Sequence, residues 1–438
     1  MRDNFGDFIP HRGIKFDYFS LNEGKYLEKN PSLRDFLFIF VPKKEKDMID
    51  ESLYNYMREL VKNVPSQFKR YMYSELPWDS RLVGIVGPCG VGKSTMLLQR
   101  VSETSENEHV LYVAADNFYF STHTLLQLAD DFVKDNGSHL FIDEIHKYKN
   151  WSNELKQIYD LHPKLKVTFT GSSVLDIQKG GADLSRRALM YEMQGLSFRE
   201  FLNLRLGLDI KPYTLKQIVD NKVVINEIDH PLPLFREYLA KGYYPFSSEY
   251  GFENRIYQIV AQTLDVDIPQ YADMKIATSR KLKQLLAVVS KLVPFKPNND
   301  SLSKEIGVSK NNIGDYFVYL EKAGMIGQLR GDTGGLRGLG KVDKIYIDNP
   351  SLMSVLASQK PDIGNVRETF FYNQLRVRNE VLSSKKSDFC IEKYTFEIGG
   401  RKKGKQQIED VENGIIVRDE IEYGHGIVVP LWQFGLNY

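Results

Sequence analysis

Two cysteines in 438 residues, Cys89 and Cys390, are too few for a disulfide scaffold. Neither stands in a C-x-x-C or Cys/His ligand spacing. No apolar run approaches the roughly 20 residues needed to cross a bilayer. The first residues, Met1 to Asp7, lack the basic-then-apolar order of a secretion signal. A soluble protein in a reduced, cytoplasmic compartment is therefore expected, with no membrane partner. Neither sign of charge dominates: 58 Lys+Arg against 57 Asp+Glu leave a net +1. That excludes a chain organised as a whole around a polyanion and confines any basic surface to a patch. Internal repeats and long low-complexity segments are also missing. What is present is ordinary globular material, 42% hydrophobic and 26% charged, enough for a sizeable core in two or three domains.

One stretch organises the rest. Gly87-Pro88-Cys89-Gly90-Val91-Gly92-Lys93-Ser94 reads G-x-x-x-x-G-K-S, a phosphate-binding loop. The apolar run Leu82 to Val86 precedes it as a strand, and Thr95 to Arg100 follows as a helix start. Glycines let the backbone turn tightly, so that successive N–H groups face a phosphate chain, and the helix N-terminus adds its positive dipole end. Gly87 to Thr95 form the expected nucleotide cradle. Lys93 would reach the β- and γ-phosphates, and Ser94 would hold Mg²⁺.

Strand and helix patterns alternate from 82 to about 200, the signature of a parallel sheet with helices on its faces. His139 to Ile142 runs apolar into Asp143 and Glu144, some fifty residues after the loop. Asp143 is expected to bind Mg²⁺ through water, and Glu144 to act as general base toward the attacking water. The strand Val167 to Thr170 should lie beside the loop strand. Its terminal Thr170, or Ser172 by a small register shift, would then sense the γ-phosphate. Ser185-Arg186-Arg187 offers an arginine for transition-state charge, in its own subunit or a neighbour's. Trp78 reads as a core residue more readily than as a flank for the adenine base.

With Gly195-Leu196-Ser197-Phe198-Arg199-Glu200-Phe201 completing the set, the chain resembles the AAA+-related P-loop ATPases of bacteria and archaea that carry a C-terminal domain of uncharacterised function. The resemblance rests on the loop, on Phe141 to Lys147 with Trp151, on Thr170 to Ser173 and on Ser185 to Arg187, and it implies an ATP-binding, ATP-hydrolysing protein. Gly195 stands where the family has proline, and Arg186 where it has glycine, which makes Arg187 the family arginine.

Five segments are expected: an N-terminal extension (1–74), the P-loop ATPase domain (75–204), a helical lid (205–279), a winged helix (280–347) and a C-terminal domain (348–438). The fold class is thus α/β: a P-loop NTPase parallel sheet with helices on both faces, then a helical lid, a winged helix and a small α+β domain. Asp265 and Asp267 in the lid read as surface or capping residues. Leu302 to Ser309 has helix–turn–helix form, with Lys310, Asn311 and Asn312 opening the second helix and Gly331 to Gly338 a candidate wing. Residues 273 to 344 hold 13 Lys+Arg against 7 Asp+Glu, a local excess that suits a phosphate backbone. The family's last domain resembles the restriction-nuclease fold. Glu368, Asp388 and Glu397 follow its carboxylate order, but Gly399 occupies its lysine position, with Arg401, Lys402 and Lys403 just beyond. A domain without cleavage is the expectation.

Three readings follow. The first is an ATP- and Mg²⁺-dependent ATPase coupled to C-terminal DNA- or protein-binding domains. The second is a slow-turnover, nucleotide-responsive adaptor, and the third a nucleotide-gated nuclease. Candidate partners besides ATP are double-stranded DNA, another protein, and further copies of the chain.

Overall fold

The computed structural model describes residues 16–19, 39–42, 49–171, 184, 186–269, 276–331, 341–357 and 359–438. Ser172, Ser173, Ser185 and most of the candidate wing lie outside them. Two short strands, β1 (Phe16–Phe19) and β2 (Ile39–Pro42), pair antiparallel. The helix α1 (Glu51–Lys62) then packs on the loop-bearing domain.

That domain is built on β3 (Leu82–Val86), β4 (Val110–Ala114), β5 (His139–Asp143), β6 (Lys166–Gly171) and β7 (Leu189–Glu192). They form a parallel sheet in the order β4-β5-β6-β3-β7. Alternate residues along each strand point to opposite faces. Val83, Ile85, Tyr112 and Phe141 accordingly join one core, and Leu82, Val86, Leu111, Leu140 and Ile142 the other. The helix α2 (Lys93–Thr104) covers the first face, and α3 (Leu125–Lys134) with α4 (Trp151–Leu161) covers the second. This is the P-loop NTPase fold. Trp78 belongs to the first core and donates from Nε1 to Tyr73 O.

The core on the α2 face continues without a break into the C-terminal half. The helix α5 (Phe198–Leu206) starts with a capping box between Ser197 and Glu200. Helices α6 (Leu215–Val219), α7 (Pro231–Glu237) and α8 (Phe252–Gln262) follow, the last two each widening into a π-helical turn. Next come α9 (Ile276–Leu292), α10 (Asn299–Ile306) and α11 (Lys310–Lys322), with Gly307 turning α10 into α11. The hairpin β8 (Ile326–Gly331) and β9 (Val342–Ile347) does not stand alone. Beyond α12 (Pro350–Leu356) and α13 (Ile363–Leu375), the two-residue strand β10 (Leu382–Ser383) pairs parallel to β8. It continues the sheet through β11 (Phe389–Ile391), β12 (Tyr394–Gly399), β13 (Gly414–Arg418) and β14 (Val428–Pro430). The boundary expected at 347/348 thus runs through one seven-stranded mixed sheet. The final turns, Leu431–Leu436, return to α13 and α5, burying Trp432, Phe434 and Leu436. Among the described residues no helix is long and apolar enough to cross a membrane.

One buried histidine makes the stability of the fold depend on pH. His139, at the foot of β5, is fully buried, stacks on Phe141 and shares a hydrogen bond of 2.9 Å with Thr168 Oγ1. Burial, with Lys166 and Arg100 nearby, holds its pKa down to about 3. The unfolded chain takes up this proton near pH 6.5 and the folded chain only near 3. Stability is therefore lost as pH falls through that window, by at most about 1.4 kcal/mol per pH unit. His139→Asn should flatten the melting-temperature profile between pH 6 and 4. A profile of unchanged slope would refute this account.

Candidate nucleotide site

The loop strand β3 ends at Val86, and the chain turns through Gly87 to Gly92 before α2 begins at Lys93. Gly92 caps α2 with φ +99°, a left-handed conformation that a side chain would strain. Lys93 is buried, and its ammonium donates to Gly87 O and Pro88 O, both at 2.8 Å. Burial pulls its pKa down, and Glu144 opposes that pull. A buried cation whose hydrogen-bond acceptors are neutral carbonyls keeps much of its unbalanced charge for an anion. Val91 is buried; Cys89, Gly90, Gly92, Ser94 and Thr95 are partly exposed. Burial also pushes the Cys89 thiol up.

The sheet order places β6 between the loop strand and the acidic strand, and Thr170 there links the Asp143 carboxylate to the Glu144 main chain. Thr170 Oγ1, fully buried on β6, donates to Asp143 Oδ1 and accepts from the Glu144 N–H at 3.1 Å. Tyr112 on β4 donates to the other Asp143 oxygen at 2.8 Å. Burial beside Asp143 pushes the Tyr112 phenol far above its ordinary value, so it remains a donor. Both Asp143 oxygens therefore accept a hydroxyl. Glu144 itself is left-handed at φ +52°, a costly conformation for a non-glycine residue and one that clusters at functional sites. Its carboxylate lies 3.7 Å from His146 Nε2 and 3.8 Å from Lys147 Nζ, and Lys147 also pairs with Asp116 at 2.7 Å. Burial, Lys93 and Lys147 hold His146 near pKa 4, neutral at physiological pH.

The fold thus brings together Lys93, Asp143, Glu144 and Thr170. It does not bring Arg187 to them. Leu189 pairs with Val83, and Glu192 with Val86, so Arg187 precedes its strand at the end of the sheet opposite the loop. There it forms a two-pronged ion pair with Asp160 of α4, both contacts 3.0 Å. Arg186 is exposed. Arg187 therefore does not serve the loop of its own chain.

Several neighbours were not legible in the sequence. Asp267, read as a surface or capping residue, is buried. Burial raises its pKa, and a hydrogen bond from Gln262 together with the Lys147 and Lys93 charges pulls it back, which puts a third acid on the loop's side of the molecule. Asp265 does lie at the surface, paired with Lys283 at 2.6 Å. Pro245 and Phe246 pack against the loop glycines. Arg70, from the expected N-terminal extension, reaches Val91 O within the loop.

A second constellation forms in the C-terminal sheet. Lys344 of β9 donates to Glu368 Oε2 at 2.9 Å and lies 3.6 Å from Asp388 Oδ1. Tyr346 also donates to Glu368, at 2.9 Å. Lys403 folds back over Gly399 to pair with Glu397. Burial and the Glu368 charge raise Asp388 to about 6. Among the described residues no group of three or more His, Cys, Asp or Glu is arranged to hold a metal.

Family models match two stretches of the chain. Residues 79–202 match the family model of an AAA domain. Residues 232–362 match that of a domain of unknown function (DUF8612). The uncharacterized protein MJ1637 of Methanocaldococcus jannaschii is 24% identical over 400 residues, which is 80% of this chain and 84% of that protein. Among solved structures, the Walker-type ATPase PABY2304 of Pyrococcus abyssi aligns with a TM-score of 0.39 at 13% identity, over 66% of this chain and 95% of its own. AMPPCP-bound DnaA from Aquifex aeolicus aligns with a TM-score of 0.25 at 15% identity, over 63% and 89%. The AAA match falls on the parallel sheet and its loop, so this part of the chain is similar to an AAA domain.

Proposed function

We propose that this protein binds ATP with Mg²⁺ on Gly87 to Thr95 and hydrolyses it to ADP and phosphate. The observation that carries the reading is the pairing of a buried, carbonyl-held Lys93 ammonium at a helix N-terminus with an acidic pair fixed by Thr170. Loop amides and Lys93 grip the β- and γ-phosphates. Glu144 takes a proton from water as its oxygen bonds to the γ-phosphorus and the bond to the β-phosphate oxygen breaks. Thr170 holds Glu144 and Asp143 in register for that step. Both oxygens of Asp143 already accept a hydroxyl, which suits contact with a metal through water, and Ser94 is partly exposed at the first turn of α2. These two residues would hold Mg²⁺, which supplies charge neutralisation on the phosphates. Any action of Arg187 on a nucleotide belongs to a neighbouring copy's site. The test is phosphate release from Mg–ATP by wild type beside Glu144→Gln. Rates near zero in both would sink the hydrolytic reading and leave the slow adaptor.

The nucleotide state has a short route to the C-terminal half. Gly324, two residues beyond α11, approaches the loop so closely that a Cβ there would lie 2.6 Å from Pro88 Cγ, and its φ is +70°. Pro88 O is also one of the two acceptors of Lys93. A phosphate competing for that ammonium changes the bonding of the residue that Gly324 touches. A ligand that interacts differently with two arrangements shifts their balance. At the far end of this route, Lys310, Asn311 and Asn312 lie exposed at the start of α11. Lys310 lines a groove of about 680 Å³ together with Lys296, Asn298, Asp300 and Lys341. This is where a winged-helix reading puts duplex DNA. Gly324→Ala should cost about 1–3 kcal/mol of stability from backbone strain and contact and weaken ATP binding severalfold. Unchanged melting temperature and affinity would remove Pro88–Gly324 from the route.

The C-terminal carboxylates are paired with ammonium groups. Their partners, Lys344 and Lys403, are ammonium groups held by three acids. We read them as ion pairs that tie together β9, α13 and the strands β11 and β12.

A further inference from the structure

The guanidinium of Arg70 is only 5% exposed and lies in the sequence well ahead of the nucleotide loop. It makes a fork to Glu200, Nε to Oε1 at 3.0 Å and Nη2 to Oε2 at 3.1 Å. Nη2 also donates to Gln194 O at 2.7 Å and Gly195 O at 2.9 Å, and Nη1 donates to Val91 O. One buried cation therefore ties three separate pieces of chain together: the extension, the stretch after β7, and the phosphate loop. Glu200 is held in turn. It caps α5 and accepts the Tyr71 N–H at 2.7 Å. Tyr438 closes the far side, its hydroxyl donating to Gly195 O at 3.1 Å and its main-chain oxygen accepting from Ser197 Oγ and Arg199 Nε, both at 2.7 Å.

Contact with Val91 O has a consequence one atom further along. In a planar trans peptide the carbonyl of one residue and the N–H of the next point in opposite directions. Fixing Val91 O against Arg70 fixes the Gly92 N–H on the other side of the same plane. Gly92 has no side chain to resist a flip of that plane, and its φ of +99° is one that only glycine adopts freely. A flipped plane would present a carbonyl oxygen in place of an amide, and phosphate would meet repulsion instead of a donor.

We propose that Arg70 is a positioning residue for nucleotide binding: by gripping Val91 O it orients the Gly92 amide toward the phosphates. This rests on the ATP-binding reading given above. The expected signature is a change in affinity more than in the chemical step, because saturating nucleotide can restore the plane that Arg70 otherwise holds.

Removing Arg70 alone would strand a buried carboxylate, whereas replacing both partners with apolar residues of similar size is often tolerated. The test therefore uses the full chain carrying Arg70→Met with Glu200→Met, and separately Glu200→Gln, which leaves the guanidinium in place. Mg–ATP is titrated by calorimetry, and phosphate release is followed against ATP concentration. In the double variant, a folded protein with Kd and KM raised about tenfold, the scale of one lost buried hydrogen bond, and kcat within threefold of wild type supports the proposal. Glu200→Gln should raise both constants by a smaller factor. A folded double variant whose Kd and KM match wild type overturns the proposal, as does a loss confined to kcat. Should the double variant not fold, unchanged constants in Glu200→Gln overturn it. Wild type that gives no binding heat with Mg–ATP removes the ATP reading itself, and this inference with it.

Discussion

Glu144→Gln should lower phosphate release from Mg–ATP by at least about 100-fold, the lower range for loss of a general base, while ATP still binds. The substitution keeps shape and volume, so the left-handed backbone at φ +52° and its N–H bond to Thr170 Oγ1 at 3.1 Å have no reason to move. What changes is the charge beside Lys147 and His146, at 3.8 and 3.7 Å. An amide oxygen cannot take up the proton that the attacking water must shed. Binding should be preserved or improved, because one negative charge leaves the neighbourhood of the γ-phosphate. Calorimetry with Mg–ATP and single-turnover phosphate release separate the two effects. A variant that turns over at the wild-type rate would move the base elsewhere, with Asp267 the buried acid to try next. A variant that loses binding would make Glu144 a structural residue.

The parts of the site that the sequence disclosed are those carried by contiguous residues. The loop, its strand and the start of its helix occupy one short run, and the acidic pair ends a second. Each is recognisable because local backbone and chemistry are specified together. The parts it did not disclose arrive by tertiary approach. Tyr112 faces Asp143 because β4 and β5 pair in register, Ala114 opposite Asp143, and a tyrosine in a strand gives no hint of that. Arg70 and Gly324 meet the loop from opposite sides, one from ahead of the domain and one from the C-terminal half. Asp267 looked solvated because the π-helical turn that carries it inward has no periodic signature. The motif order that offers Arg187 for transition-state charge does not say at which end of the sheet it lies. The parallel register puts the beginning of β7, and hence Arg187, at the other end of the sheet. In the C-terminal half the helices were legible from apolar spacing, but β10 was not. Two residues, Leu382 and Ser383, are too few to show alternation, yet they join the hairpin to the last domain.

Lys93→Met should separate stability from function in opposite directions. In the folded protein the ammonium is buried and desolvated, and burial holds its pKa below the ordinary lysine value. Its hydrogen bonds go to Gly87 O and Pro88 O, neutral acceptors that return only part of the cost of taking a charge out of water. A methionine of similar length fills the space without that cost. The two freed carbonyls keep their other lone pairs and border partly exposed loop residues. The melting temperature should therefore hold or rise. Affinity for ATP should fall by about 100-fold, the equivalent of two charge-assisted hydrogen bonds at the low end of their range. The loss should scale with phosphate number, larger for ATP than for ADP, because the ammonium is assigned to the β- and γ-phosphates. Thermal melts without nucleotide, and calorimetry with each nucleotide, give both signs in one experiment. Lower stability with unchanged affinity would mean that Lys93 holds the loop closed and does not bind phosphate, and the ATP reading would lose its principal cation.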